Sequence, residues 1–336
     1  MGLHEFTDER DYEAELGQCA GVTGFHRWFF LTAFAEALGL RMRAFAVDAG
    51  SERLGVVPML FRRRGPVSTV NYLPVSCIGP VLRGEALRSG RAGEMLRAVE
   101  PVLRSERVVV TRWAFSPGLG VEADGLAARG FEMTSTENFM VPGTKSAEDY
   151  LKGLAPKQRA AVRRGEQRGL SAGPSTMEEI TCWLPPRLGG VRSGRAALPG
   201  YSLSAGRIIA ERLAGDPRML WRSVRDADGR TLVLNACIVD TERLWGWLLA
   251  GEPVPGPSPH VAAYWDAIKW SLGRQLTCDF GGAPTAGIRA FKAAMGGEAE
   301  LCAVAERVRP RVYGQVRALH ARMSDCRAKR KKSSIR

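Results

Sequence analysis

The chain is short of lysine. Of its 48 basic residues only eight are lysine and forty are arginine, set against 35 acidic residues. Lys329, Lys331 and Lys332 fall in the last eight positions, which leaves Lys145, Lys152, Lys157, Lys269 and Lys292 for the folded body. A compact ammonium and a planar guanidinium do different chemistry, so each of these lysines is a position to inspect. Histidine is scarcer still. The four (His4, His26, His260, His320) show no metal-ligand spacing, and no metal is expected. The seven cysteines stand singly with no Cys-x-x-Cys, which argues against a disulfide framework or structural zinc and fits a reducing compartment. No run approaches the roughly 18 to 20 apolar residues that span a bilayer. The opening MGLHEFTDER is polar, without the hydrophobic core of a signal peptide. A cytoplasmic protein with no membrane span is expected. No G-x-G-x-x-G follows a first strand and no G-x-x-x-x-G-K-[ST] occurs, so Rossmann and P-loop chemistry are set aside.

What is present is globular: 336 residues, 45% hydrophobic and 25% charged, a length of about two ordinary domains. The net charge of +13 favours an anionic partner and is unevenly placed. Residues 327–336, RAKRKKSSIR, hold six basic residues and read as a disordered basic tail.

Both halves alternate helix and strand signals. In the first, Phe30, Phe34 and Leu38 recur at helical spacing before Gly39. Met42–Asp48 and Leu54–Phe61, joined by AGSER, read as a hairpin. Val67–Leu73 follows the Gly65-Pro66 turn; Leu96, Val99 and Leu103 line one helix; Val108–Phe115 and Phe131–Val141 read as strands. In the second half, Met219–Val224, Thr231–Val239 and Leu244–Ala250 are successive strands. Val261, Tyr264, Trp265, Ile268 and Leu272 form a helical stripe ended by Gly273, and Gln275–Phe280 is a strand. Counterparts lie roughly 170 to 180 residues apart, as in a duplicated α/β unit. The reading gives a first domain at 1–145, a second at 146–326 and a tail at 327–336, with VPGTKSAED (141–149) as linker.

Two segments carry candidate chemistry. From Pro156 to Gly169 a helix is expected, with Lys157, Arg164 and Arg168 on one stripe and Arg159 and Arg163 on another. Only Glu166 opposes them. The helix is either a solvated face or a phosphate-contacting one. In the second segment, a Gly281-Gly282 turn precedes a helix at Ala286–Met295. Lys292 lies about 40° from Ile288, on the face that Phe291 and Met295 share. A lysine there must snorkel, pair with an acid or serve a cleft. Asp279 is its expected partner, either as a buried brace or beside a cation aimed at developing negative charge. His260, beside a Pro/Gly-rich loop, is placed to line a site. Trp245, Trp247, Trp265 and Trp270 suit a core more than a stacking platform. Trp247, His260 and Tyr264 join Asp279 and Phe291 as candidate substrate contacts.

Several segments together resemble the Fem-type aminoacyltransferase family, built of two tandem GNAT-like (acetyltransferase-like) domains. LxxKxRxxxRRxxxxG at Leu154–Gly169 is similar to the basic helix that opens the family's second domain. AAYWDAIKWSLGRQLTCDFGG (262–282) resembles its helix and strand with a DFGG-like turn, and AGIRAFKAAMGG its "FK" helix. GVVPMLFRRRG and NYLPVSCIGPVL resemble the first domain more loosely. The resemblance implies an α/β fold with mixed sheets and a reaction in which an amine attacks the ester carbonyl of an aminoacyl-tRNA. Lys292 would stabilise the oxyanion and Phe291 would neighbour the aminoacyl end. Lys157, Arg159, Arg163, Arg164 and Arg168 would meet phosphates. No cofactor is expected beyond the tRNA donor. The acceptor would be an amine of a peptidoglycan precursor or a small natural product. Residues 171–260 hold no heptad run, and WLPPRLGGVRSGRAALPG is rich in Pro, Gly and Arg, which leaves room for the small acceptor. The alternatives are an acyl-CoA-dependent N-acyltransferase on the same fold and a non-enzymatic RNA-binding protein. The pyrophosphate loop R/Q-x-x-G-x-G/A is missing; SPGLGVEADG (116–125) lacks its leading residue.

Overall fold

The computed structural model describes residues 1–71, 77–88, 91–117, 119, 126–188, 202–251 and 258–309. Among these, fourteen strands make one mixed sheet. Those of the first half are β1 (Gly2–Glu5), β2 (Cys19–Ala20), β3 (Arg41–Ala49), β4 (Glu52–Arg64), β5 (Val67–Val70), β6 (Val81–Arg83), β7 (Val108–Ala114) and β8 (Glu132–Val141). Those of the second are β9 (Ser171–Pro174), β10 (Met219–Arg225), β11 (Thr231–Val239), β12 (Arg243–Gly251), β13 (Thr277–Gly282) and β14 (Glu298–Val308). Eleven α-helices accompany them among the described residues. They are α1 (Glu9–Leu16), α2 (Trp28–Leu38), α3 (Gly84–Arg88), α4 (Ala92–Ala98), α5 (Glu100–Ser105), α6 (Ala147–Gly153), α7 (Pro156–Gln167), α8 (Met177–Leu188), α9 (Leu203–Leu213), α10 (Pro259–Leu272) and α11 (Ala286–Ala294). No helix of the described residues is long and apolar enough to cross a membrane.

Along the sheet the order is β1-β3-β4-β5-β7-β14-β8-β13-β12-β11-β10-β9, with β6 on β4 and β2 on β6. The order is a near-palindrome: β3-β4-β5-β7 on one side, β13-β12-β11-β10 on the other. Each side holds one parallel pair, β5 with β7 and β12 with β13, joined through helices. The two sides trade their last strands. β8, which follows β7 in sequence, lies on β13, and β14, which follows β13, lies on β7. β8 and β14 then pair with each other from Glu132↔Glu306 to Met140↔Glu298 at the centre.

The helices form where caps and apolar faces agree. α2 is apolar nearly all round and is buried; its C-cap Gly39 is left-handed (φ 60°), and Leu40 N–H closes back on Ala35 O at 2.7 Å. Phe30 and Phe34 of α2 meet Trp247 edge-on at 5.5 and 5.6 Å, and Trp247 meets Trp221 at 5.9 Å. This aromatic core spans both halves, and burying each such ring contributes about 2 to 3 kcal/mol. Ion pairs on its rim repeat the tie: Arg27 with Asp240, Arg212 with Glu36 and Arg218 with Glu9.

Three expectations change in detail. Leu96 and Leu103 sit on two helices, α4 and α5, with Val99 as the cap between them, rather than on one, because Pro101 has no N–H to continue the ladder. The linker expected at 141–149 shrinks, since β8 runs through Val141 and Ser146 caps α6 by accepting from Asp149 N–H. The strand expected from Gln275 begins at Thr277, after Gln275 at φ 58°. The basic tail, residues 189–200, residues 118 and 120–125 of SPGLGVEADG, and His320 lie outside the described residues.

Candidate functional site

The site grows from the parallel pair β12 and β13. The two strands are in register from Arg243↔Thr277 to Trp245↔Asp279, and then each continues without the other. Both bulge where they part. On β12 the ladder to β11 steps from Cys237↔Gly246 to Ala236↔Leu248, so Trp247 is the extra residue. On β13 the ladder to β8 steps from Asp279↔Met140 to Gly282↔Asn138, so Phe280 and Gly281 face a single residue. Gly246 lets the strands touch at the apex of the wedge, since a Cβ there would stand 2.8 Å from Asp279 O.

Helix α11 follows this turn. Thr285 caps it by accepting from Ile288 N–H at 3.2 Å. Its one buried residue is Lys292, only 4% exposed. The ammonium donates to three backbone carbonyls of the β13 turn: Phe280 O at 2.5 Å, Gly281 O at 3.0 Å and Gly282 O at 2.7 Å. The first two acceptors are buried, and the third bond is partly open. Burial outweighs the attraction of Asp279 and lowers the lysine to about 8.

The expected Asp279–Lys292 ion pair is not formed. Asp279 is buried in the sheet, where its Oδ1 accepts Gly281 N–H at 2.5 Å and Asn138 Nδ2 lies 3.2 and 3.4 Å from its two oxygens. Burial pushes the carboxyl up to about 6, against the pull of these donors and of the Arg243 and Lys292 charges. The lysine is satisfied by carbonyls instead, because the helix lays its side chain under the turn rather than beside the carboxylate.

Tyr264 of α10 meets Phe280 at 4.8 Å and Phe291 at 5.1 Å, both edge-on, so Tyr264, Phe280 and Phe291 form an aromatic flank beside Lys292. Burial raises the Tyr264 phenol, which stays neutral. His260 lies away from this group, in the first turn of α10. A Cβ on Gly251, at the far end of β12, would stand 2.7 Å from His260 Nε2. Trp247 belongs to the inter-half aromatic core described above, with Phe30, Phe34 and Trp221 around it.

On α7 and its C-cap, Lys157, Arg163, Arg164 and the capping Arg168 are exposed and make no ion pair among the described residues. Arg159 differs. Its Nη1 donates to Lys152 O at 2.9 Å and to Leu154 O, closing the end of α6, so its guanidinium is already occupied. Asn138 was not visible as a site residue in the sequence, because the strand exchange alone brings it to Asp279.

No family model matches the chain, and neither does any curated protein. Solved structures do share its fold. FemX is similar at a TM-score of 0.68 and 14% identity, over 94% of this chain and 99% of that one. L-PGS from Bacillus licheniformis is similar at 0.55 and 13%, over 90% and 93%. A tandem GNAT protein from the clavulanic acid biosynthesis pathway, solved without AcCoA, is similar at 0.55 and 12%, over 91% and 98%. At such identities the likeness bears on fold and not on chemistry. The chain has a Fem-like tandem GNAT fold.

Proposed function

We propose that the protein is an acyltransferase that forms an amide between an aminoacyl group carried on tRNA and the amine of a small molecule or cell-wall precursor. The observation that carries this reading is Lys292: a cation held under the turn where β12 and β13 part, on the DFGG and FK residues. The acceptor nitrogen adds to the ester carbonyl, and the carbonyl oxygen becomes an oxyanion. The C–O bond to the ribose then breaks, and the proton lost by the amine ends on the departing ribose oxygen. Lys292 meets the oxyanion by giving up its outermost acceptor, Gly282 O, for it. At about 8 the ammonium is still roughly tenfold in excess over the free amine at pH 7. An ester of this kind is already activated, so positioning and charge can suffice. The unpaired Lys157, Arg163, Arg164 and Arg168 supply a phosphate-binding face for the donor. Arg159 is left out of that face because the end of α6 uses it. FemX, which bears the name of the family that these motifs resemble, adds fold-level support.

The test supplies labelled amino acid on charged tRNA with a panel of amines, with and without ribonuclease, beside labelled acyl-CoA. Ribonuclease-sensitive amide formation is expected. Transfer from acyl-CoA that ribonuclease leaves untouched would overturn the tRNA donor and keep the acyltransferase.

A further inference from the structure

Asp279 is an expensive residue where it stands. It is 1% exposed, and a carboxylate that deep is costly unless its oxygens are matched by donors. An asparagine could accept the same Gly281 N–H without a charge to bury. Two neighbours explain what the carboxylate does. Its Oδ1 takes the N–H of the residue two positions on, at 2.5 Å, which locks Gly281 at φ 69°. That locked turn carries the three carbonyls that hold Lys292 Nζ. From behind, Asn138 of β8, itself 1% exposed, fastens the carboxylate with its amide.

We infer that Asp279, fastened by Asn138 from the other half of the molecule, is the positioning residue of the Lys292 site: it sets the carbonyl cradle and keeps the ammonium charged. It acts through the turn and through its field, with no contact to substrate. The charged groups around it are Lys292 on α11 and Arg243 on β12. The thiols of Cys77, Cys237 and Cys278 also face it, all pushed up by their surroundings and neutral near pH 7. The carboxylate is thus the charge that favours the Lys292 ammonium. Its removal takes away the charge that opposes burial of the ammonium, leaves only the carbonyl acceptors on that side, and so shifts Lys292 toward the free amine.

The inference rests on the proposed function only for why a charged Lys292 matters; its test does not. The full-length protein is labelled with [ε-13C]lysine, and its eight lysines are followed by NMR across pH. The Lys292 signal is the one lost in Lys292→Met. In the parent protein the Lys292 signal should titrate with a midpoint near 8. Asp279→Asn should lower its midpoint by about one further unit, and Asn138→Ala should move it the same way by less. An unmoved Lys292 midpoint in both variants would overturn the inference, whatever their melting temperatures do. Should Asp279→Asn fail to fold, Asn138→Ala decides alone. If the midpoints move but charged tRNA donates nothing to any amine, the positioning role stands and the donor reading falls. Active parent enzyme with unmoved midpoints gives the reverse.

Discussion

The two parallel strand pairs of the sheet occupy matching places and have opposite fates. In the second half, β12 and β13 part at a bulge and a lysine sits under the turn. In the first half the matching place is held by backbone and neutral side chains. β5 ends at Val70, and Asn71 (φ 53°) accepts Leu60 N–H at 2.8 Å and donates to Pro58 O at 3.0 Å and Ile78 O at 3.4 Å. It thereby ties Cys77–Gly79 to β4. Gly79 presses on the end of β7, since a Cβ there would lie 2.6 Å from Ala114 O. His26 Nε2 sits 3.0 Å from Gly79 O, as donor, and its Nδ1 accepts Thr23 N–H at 3.0 Å. One wedge is plugged by neutral, hydrogen-bonded groups and the other holds a charge. The two halves share one frame and differ in what sits where their parallel strands part.

The contrast can be broken most sharply at Lys292. Lys292→Met should cut single-turnover transfer by about 10²- to 10³-fold in protein that remains folded. A fall in melting temperature at unchanged rate per folded molecule would make the lysine a clamp only. Next comes acid. Burial lowers His26 to about 4, so the folded state binds fewer protons than the unfolded one, and stability is lost as pH falls from about 6.5 toward 4. Asp279 is raised to about 6, the opposite case: its stabilising contribution is present at low pH and is lost as pH rises from about 4 through 6. Each amounts to about 3 kcal/mol at most, and the two oppose each other over the same window. Urea denaturation from pH 4 to 7 should therefore show His26→Gln gaining stability on acidification relative to the parent and Asp279→Asn losing it. Parallel curves for both would erase the distinction between the wedges. Asn71→Ala should cost about 2 kcal/mol by releasing the plug, and leave the rate per folded molecule alone. The smallest effect separates two arginines of α7. Arg163→Gln should reduce the slope of log affinity against log salt for tRNA by about one, whereas Arg159→Gln should leave that slope and lower the melting temperature by a few degrees.

Local elements were legible because their signals are local. The stripe from Val261 to Leu272 and the hairpin around AGSER give β3, β4 and α10 within three residues at every end. Lys292 was readable as a lysine on an apolar helix stripe for the same reason, although Ile288 of that stripe is exposed and Lys292 is the helix's one buried residue. What the lysine holds was not readable. Its partners are carbonyl oxygens, which every residue has, and sequence spacing suggested the nearby carboxylate instead. Arg159 shows a similar limit: the i, i+4 stripe says which side chains share a face, not that the end of the preceding helix lies within reach. Asn138 is the extreme case, brought to Asp279 by pairing between strands some 140 residues apart in sequence, for which no local pattern exists.

The exchange of β8 and β14 bears on how the molecule comes to exist. A chain made only as far as Gly297 would leave β7 and β8 side by side with a strand-wide gap between them, two bare edges ready to recruit another chain. Neither half can close its sheet by itself, and the turn that seats the lysine leans on a strand from the other half. Among the described residues β14 is the last strand in sequence and lies in the middle of the sheet. The pairing of β14 with β7 and β8 seals the sheet beside the same β8 strand whose Asn138 reaches the Asp279 turn, so closing the sheet and building that turn draw on one strand.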